Sequence, residues 1–386
     1  MYEFSITYML ISRLAKKMLQ DKLQPNKVVL LYGPRRVGKT TVLNEFTSQH
    51  VDQKRIKFVN GETKIIQDEL SSQSIESLKR FIGDNTILII DEAQKIPQVG
   101  LNLKLIVDNI PDVAVIASGS ASFSLAQEVG EPLTGRKKTI NMFPVSASEI
   151  ISTYNETYYK ENLENYLIFG CYPELFQIND KQKQQEYLSE LVDAYLFKDI
   201  LDMEDVRNPK KIRDLLTLLA FQIGKEVSLT ELGRSLNMHQ NTVYRYLDLL
   251  EKSFVIINVR GFSRNLRKEV TKTSRYYFYD NGARNALINN FNSLSIRDDV
   301  GMLWENYLVM ERLKKQSYSG LASNNYFWRT YDQKEIDWVE ERGGKLYGYE
   351  FSWRDKKAKP PTDWLKFYPS AEYLPISRDN FLDFII

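Results

Sequence analysis

Between Val28 and Met142 the chain repeats one pattern: a short run of consecutive apolar residues, a polar turn, then apolar residues at helical spacing. Val28–Tyr32, Thr86–Ile90 and Val113–Ser120 are the apolar runs, and the mixed segments Ile56–Asn60 and Lys138–Met142 read as strands as well. Runs this short and this apolar suit strands buried on both faces. Helical spacing over 41–46, 75–81 and 101–109 separates them. Strand and helix in alternation predict an α/β fold around a parallel sheet. Ahead of it, residues 1–25 read as an amphipathic lead-in helix ending near Pro25. Leu10, Leu14, Met18 and Leu19 form its apolar side; Arg13, Lys16, Lys17 and Lys22 form a basic side expected to be solvated.

Beyond residue 150 the pattern changes. Residues 151–225 are helix-rich, with Tyr and Leu stripes that read as core, and Gly170-Cys171-Tyr172-Pro173 interrupts them. This segment is expected to be a helical lid or connector. Ser228 to Leu236 reads as a short helix with a Ser cap and Glu231 three residues on. A tight turn, Asn237-Met238-His239, leads into a second helix over 240–253 with Val243, Tyr246, Leu247 and Leu250 inward. That is helix-turn-helix spacing, and strands at 254–257 and 276–279 would flank a wing. From about 286 the chain returns to α/β: a helix over Gly301–Leu313, then strands at 325–329, 335–339 and 346–353. The predicted segments are therefore 1–25, 26–150, 151–225, 226–285 and 286–386.

The first strand runs into Gly33-Pro34-Arg35-Arg36-Val37-Gly38-Lys39-Thr40, with Thr41 opening the next helix. This is G-x-x-x-x-G-K-T between a strand and a helix, the phosphate-binding loop of nucleotide triphosphatases. The glycines let backbone N–H groups wrap the phosphates, and the helix N-terminus faces the anion. Lys39 can reach the β- and γ-phosphates, and Thr40 can place its hydroxyl on Mg²⁺. Asp91 and Glu92 close the third run. Asp91 suits the Mg²⁺ shell, as a Walker-B aspartate does, and Glu92 suits the base that polarises the attacking water.

Two further positions belong to this chemistry with alternatives open. Ser118 and Ser120 end the fourth run, where a polar group can sit beside the γ-phosphate; small hydroxyls also end many ordinary strands. Arg136, in Leu133-Thr134-Gly135-Arg136, could reach the γ-phosphate of a neighbouring subunit. From spacing alone, a solvated loop arginine is the better account.

In the helix-turn-helix, Gln240, Asn241, Tyr244, Arg245 and Asp248 are expected on the outer face. Arg260, Arg264, Arg267, Lys268, Lys272 and Arg275 lie between the flanking strands against one acid, Glu269. A basic wing beside a recognition helix is the footprint of phosphate contacts on DNA, and packing on protein is the alternative. In the last segment Glu305 on the helix, Asp337 and Glu350 on strands follow the order of a PD-(D/E)xK nuclease core, whose carboxylates bind a metal. The lysine expected two residues after Glu350 is Ser352. The three acids are expected to converge and to be able to hold a divalent ion, but not to cut DNA.

Composition narrows the reading. The 386 residues carry a net charge of +2, so any nucleic-acid surface must be local. One cysteine, Cys171, excludes an intramolecular disulfide and fits a reducing compartment. Two histidines, His50 and His239, argue against a zinc site or a histidine triad. No apolar run approaches the ~20 residues of a membrane span, and the N-terminus lacks a basic-then-apolar signal. A cytoplasmic protein is expected.

These parts in this order resemble the prokaryotic AAA-type (AAA+) ATPases in which a P-loop domain is joined to a C-terminal domain of unknown function with a winged helix and a nuclease-like module. The resemblance rests on the P-loop, Ile90-Asp91-Glu92-Ala93-Gln94, Ser118-Gly119-Ser120, Leu133–Arg136, Phe143-Pro144-Val145-Ser146, Gly170–Pro173, Trp304-Glu305-Asn306 and Phe327-Trp328-Arg329. It implies ATP rather than GTP, and it raises Arg136 as a finger acting in trans. The resulting expectation is an Mg²⁺-dependent ATPase that binds DNA through its winged helix and works as a homo-oligomer. A protein-interaction switch without DNA and an ATP-regulated nuclease are the competing classes.

Overall fold

In the computed structural model, residues 11–50, 55–120, 133–203, 208–263, 274–330, 334–354 and 359–386 are described, the side chains of 194–203 excepted. The chain divides into two compact units, one formed by residues 9–145 with 252–254, the other by the remainder.

The first unit is a five-stranded, all-parallel sheet. Its strands are β1 (Val28–Tyr32), β2 (Ile56–Asn60), β3 (Ile87–Asp91), β4 (Ala114–Gly119) and β5 (Lys137–Asn141), in the order β2-β3-β4-β1-β5. β1, β3 and β4 are buried along their whole length, as their unbroken apolar runs require. Helices Lys39–His50, Ile75–Ile82 and Val99–Asn109 fall where helical spacing places them. A further helix, Lys64–Leu70, was not legible; its Ile65 is exposed, so it has no clean apolar stripe.

The lead-in helix spans Leu14–Lys22, with Ala15 and Leu19 fully buried. Its basic side is not simply solvated. Arg13, at the N-cap, is buried, Lys16 pairs with Glu45 at 3.0 Å, and Lys22 donates to the Thr139 carbonyl at 2.9 Å.

The second unit begins with short helices at Ala147–Thr153, Glu156–Glu161 and Leu163–Phe169. The first opens on a capping box between Ser146 and Glu149. The long helix Lys181–Met203 and the helix Pro209–Phe221 follow. Then come β6 (Glu226–Val227), helices Leu229–Leu236 and Gln240–Lys252, β7 (Ile256–Gly261) and β8 (Ser274–Phe278). Ser228 stands at an N-cap, but its side chain makes no cap hydrogen bond, so the capping box expected with Glu231 does not form.

Helix Val300–Ser319 leads to β9 (Asn324–Arg329), β10 (Glu335–Arg342), β11 (Lys345–Phe351) and β12 (Glu372–Ile376). One seven-stranded sheet, β12-β11-β10-β9-β7-β8-β6, joins the whole set. β7 meets β9 in parallel at Arg260–Tyr326 and Gly261–Phe327. The segments expected at 226–285 and 286–386 thus share one sheet. Phe262 from the first packs with Trp328, Ile336, Val339, Leu346 and Trp364 of the second.

Candidate functional site

The chain leaves β1 at Gly33 under tight sterics. A Cβ there would lie 2.1 Å from the Met142 carbonyl oxygen, so only glycine fits. Gly38 has φ +91° and Arg36 φ +60°, the left-handed turns that curl the loop. Pro34 and Val37 are buried, Arg35 is half-buried, and Arg36, Thr40 and Thr41 are exposed. Lys39 opens the following helix, and its buried ammonium donates to the carbonyls of Gly33 at 2.9 Å and Pro34 at 2.8 Å. A single cation therefore spans the loop.

The strand order sets the rest. β4 lies between β1 and β3, so the loop, the β4 tip and the Asp91 end of β3 share one edge of the sheet. Thr40 Oγ1 donates to Asp91 Oδ2 at 2.6 Å, and the Ser118 hydroxyl donates to Oδ1 of the same carboxylate. Glu92 takes a left-handed backbone, φ +53°, and its N–H donates to Ser118 Oγ at 3.1 Å. Its carboxylate accepts from Gln94 Nε2 at 2.6 Å, and the same amide reaches Ser120 Oγ at 3.2 Å. One hydrogen-bonded chain runs Thr40, Asp91, Ser118, Glu92, Gln94, Ser120.

Gln94 and Arg13 were missed from the sequence as site residues. Gln94 gave a signal, an amide two residues after the acid; Arg13 gave none that separates it from Lys16, Lys17 and Lys22.

Arg136 sits elsewhere. It precedes β5 at the strand's N-terminal end, where its backbone carbonyl accepts from Val28 N–H at 2.9 Å. The strands are parallel, so this is the opposite end of the sheet from its own phosphate loop. Its guanidinium pairs with Asp108.

In the second unit the two helices at 229–236 and 240–252 are joined by a close turn. A Cβ on Gly233 would lie 2.8 Å from the Met238 carbonyl oxygen, and Asn237 takes φ +49°. The second helix buries Val243, Tyr246, Leu247, Leu249 and Leu250. Gln240, Asn241, Tyr244 and Arg245 are exposed, Tyr244 by 60%. Arg260 on β7 is exposed; Arg264, Arg267 and Lys268 lie outside the described residues.

Arg275 departs from the expected basic wing. It is 4% exposed and turned into the carboxylates: NH2 is 2.7 Å from Glu335, and NH1 lies 3.4 Å from Asp337 and 3.5 Å from Glu305. The pair Trp338–Tyr349 brings the next residues, Asp337 and Glu350, side by side on β10 and β11. Glu305 and Asp337 meet at the Arg275 guanidinium, and Glu350 lies beside Asp337. Among the described residues no group of His, Cys, Asp and Glu is arranged to hold a metal ion, so the expected divalent site is not formed. β8 is covered on both faces from Arg275 to Phe278, so Arg275 lies inside the unit and not on an exposed wing.

Electrostatically the cluster is overfilled with acid. Burial, then Asp337, push Glu305 up to about 8, with Arg275 opposing. Burial and Asp337 likewise push Glu350 up to about 8. Burial raises Asp337, although Arg275 and the Phe351 N–H at 2.9 Å hold it down. Tyr277 OH donates to Glu305 at 2.7 Å.

The first unit is of the class its geometry defines, an α/β P-loop fold with an extra strand between the two motif-bearing strands. Residues 25–151 match the family model described as an AAA domain. Residues 160–294 match a domain of unknown function (DUF8612), and residues 300–378 another (DUF4143). An uncharacterized protein of Mycobacterium tuberculosis is 28% identical over 351 residues, covering 89% of this chain and 75% of that protein. An uncharacterized protein of Methanocaldococcus jannaschii is 25% identical over 352 residues, covering 85% and 76%. Among solved structures, AMPPCP-bound DnaA from Aquifex aeolicus aligns over 61% of this chain and 86% of its own, at 14% identity and a TM-score of 0.31. That likeness is too slight to carry a functional argument. No described helix is long and apolar enough to cross a membrane.

Proposed function

We propose that this protein is an Mg²⁺-dependent ATPase of the AAA type that acts as an assembly and engages DNA through its helix-turn-helix. The observation that carries the ATPase reading is the contact between Thr40 and Asp91 at 2.6 Å. It joins the loop that binds phosphates to the strand that carries the base, in a site whose sequence already matches an AAA domain.

The residues divide the work. Lys39 and the loop N–H groups bind the β- and γ-phosphates. The Thr40 hydroxyl and the Asp91 carboxylate form the oxygen-only pair a hard divalent cation takes, so Mg²⁺ fits here. When bound, it would neutralise charge on the β- and γ-phosphate oxygens. Glu92 accepts the proton of the attacking water. Gln94 holds the Glu92 carboxylate, and Ser120 holds Gln94. Arg136 cannot serve its own loop from the far end of the sheet. It suits the loop of a second copy, which makes the complete site a property of an assembly.

For DNA, the supporting features are the exposed row Gln240, Asn241, Tyr244 and Arg245 and the exposed Arg260. The order helix, β6, helix, helix, β7, β8 supports reading this part as a winged helix. The nuclease-like module is read as a non-cutting platform, since Arg275 fills the middle of its carboxylates. The test is the ATPase rate with and without single-stranded, duplex and branched DNA, beside Lys39→Ala. Turnover that survives Lys39→Ala overturns the ATPase reading. Turnover unmoved by every DNA, with no salt-dependent DNA binding, favours a protein-interaction switch instead.

A further inference from the structure

The geometry points to Arg13 as a positioning residue that sets the phosphate loop in its anion-binding shape. This rests on the ATPase reading above. Arg13 NH1 donates to the Val37 carbonyl at 2.5 Å, and NH2 donates to the Phe143 carbonyl at 2.6 Å. The guanidinium is buried behind the loop, and a Cβ on Gly38 would lie 3.6 Å from NH1.

The consequence follows from the planarity of the peptide. No cis peptide occurs among the described residues, so the Val37 carbonyl and the Gly38 N–H point in opposite directions. Holding the carbonyl against Arg13 turns the Gly38 N–H the other way, toward the side where backbone donors wrap phosphate. Gly38 has φ +91°, a conformation that glycine visits among several others when nothing holds it. Arg13 selects one of them.

The choice of arginine is explained by the two acceptors. They belong to the loop and to the chain after β5, 106 positions apart in sequence (143 − 37). A guanidinium offers donors in a fixed fork and reaches both; an ammonium is a point charge on a flexible stem. The helix behind Arg13 is itself anchored. Lys16 pairs with Glu45 on the helix that follows the loop, and Lys22 bonds Thr139 on β5. The basic side of the lead-in helix is therefore a brace for the nucleotide site.

The test uses the full chain with Arg13→Gln and Arg13→Lys. ATP and ADP affinities are measured with a fluorescent nucleotide, KM and kcat by phosphate release, and folding by circular dichroism. A charge-assisted hydrogen bond of the usual strength gives a loss of about 10- to 100-fold in nucleotide affinity for Arg13→Gln. KM should rise while kcat at saturation holds, because the loop binds phosphate in ground and transition states alike. Arg13→Lys should recover part of the loss, and methylguanidinium in solution should recover part of it in Arg13→Gln. A general loss of packing would give neither recovery. If Arg13→Gln fails to fold, Arg13→Lys with its raised KM is the measurement. Native protein that binds ATP, with either folded variant binding it equally well, overturns the role of Arg13 alone. Native protein that binds no nucleotide overturns the ATPase reading and this inference with it.

Discussion

Replacing Arg275 by Met keeps the bulk of the side chain and removes its charge. In the native protein that charge is 4% exposed and faces Glu305, Glu335 and Asp337 within 3.5 Å. Breaking a buried pair by deleting one partner costs about 3–5 kcal/mol, because the other charge stays behind without compensation. The cost should depend on pH. Glu305 and Glu350 titrate near 8 when folded, against an ordinary value of 4.5. Between those values the folded state holds more protons than the unfolded one. Native stability is therefore full at low pH and falls as pH rises through 8, by about 1.4 kcal/mol per pH unit for each extra proton held. Arg275 lowers Glu305, Asp337 and Glu350, so Arg275→Met should raise them further and carry the fall to higher pH. The destabilisation should be larger near pH 8 than near pH 5, where Glu305 and Glu350 are neutral. The assay is simple because all five tryptophans lie between Trp304 and Trp364. Urea unfolding followed by tryptophan fluorescence then reports the unit that holds the cluster. An equal loss at pH 5 and pH 8, or no loss at pH 8, would refute the reasoning.

Glu92→Gln should bind ATP with native affinity and fail to hydrolyse it; native turnover in that variant would remove Glu92 as the base. Arg136→Ala should leave nucleotide binding intact and lower turnover by a factor on the order of 10³. Native specific activity should also rise with protein concentration; activity that is independent of concentration and unchanged in the variant would sink the trans arginine. Arg245→Glu with Tyr244→Ala should weaken DNA binding and reduce its salt dependence by about one unit of log–log slope per lost phosphate contact, without changing basal ATPase activity. Filter binding at several salt concentrations checks this, and an unchanged slope would mean that the helix faces protein.

What could be read in advance was whatever carries its own local pattern. The loop from Gly33 to Thr40, the Asp91–Glu92 strand end and the Asn237-Met238-His239 turn each carry a local signal of this kind. The structure shows a positive φ or a Cβ with no room at each. The convergence of Glu305, Asp337 and Glu350 was readable from the order of one helix and three strands. The failures concern charged residues whose surroundings come from distant chain. Arg13 and Arg275 each stand among other basic residues in sequence and carry no mark of their own. Each is buried because carbonyls or carboxylates arrive from 24 to 130 positions away. Ser228 failed differently: residue type and spacing fit a capping box, but the hydrogen bond is not made.

The joint between β7 and β9 bears on how this architecture can be inherited or divided. Among the described residues, two residue pairs and the Phe262 N–H to Phe327 carbonyl bond at 2.6 Å stitch the strands together. Yet Phe262 lies in the core built by Trp328, Ile336 and Trp364. A cut at 285/286 would strand an unpaired β9 edge on one fragment and an unpaired β7 edge on the other, each an invitation to aggregate. Recombination that preserves a working fold must therefore carry the strands from β6 to β12 as one piece. The helices at 229–236 and 240–252 and the acid cluster would then pass from one chain to another together, as a single cassette.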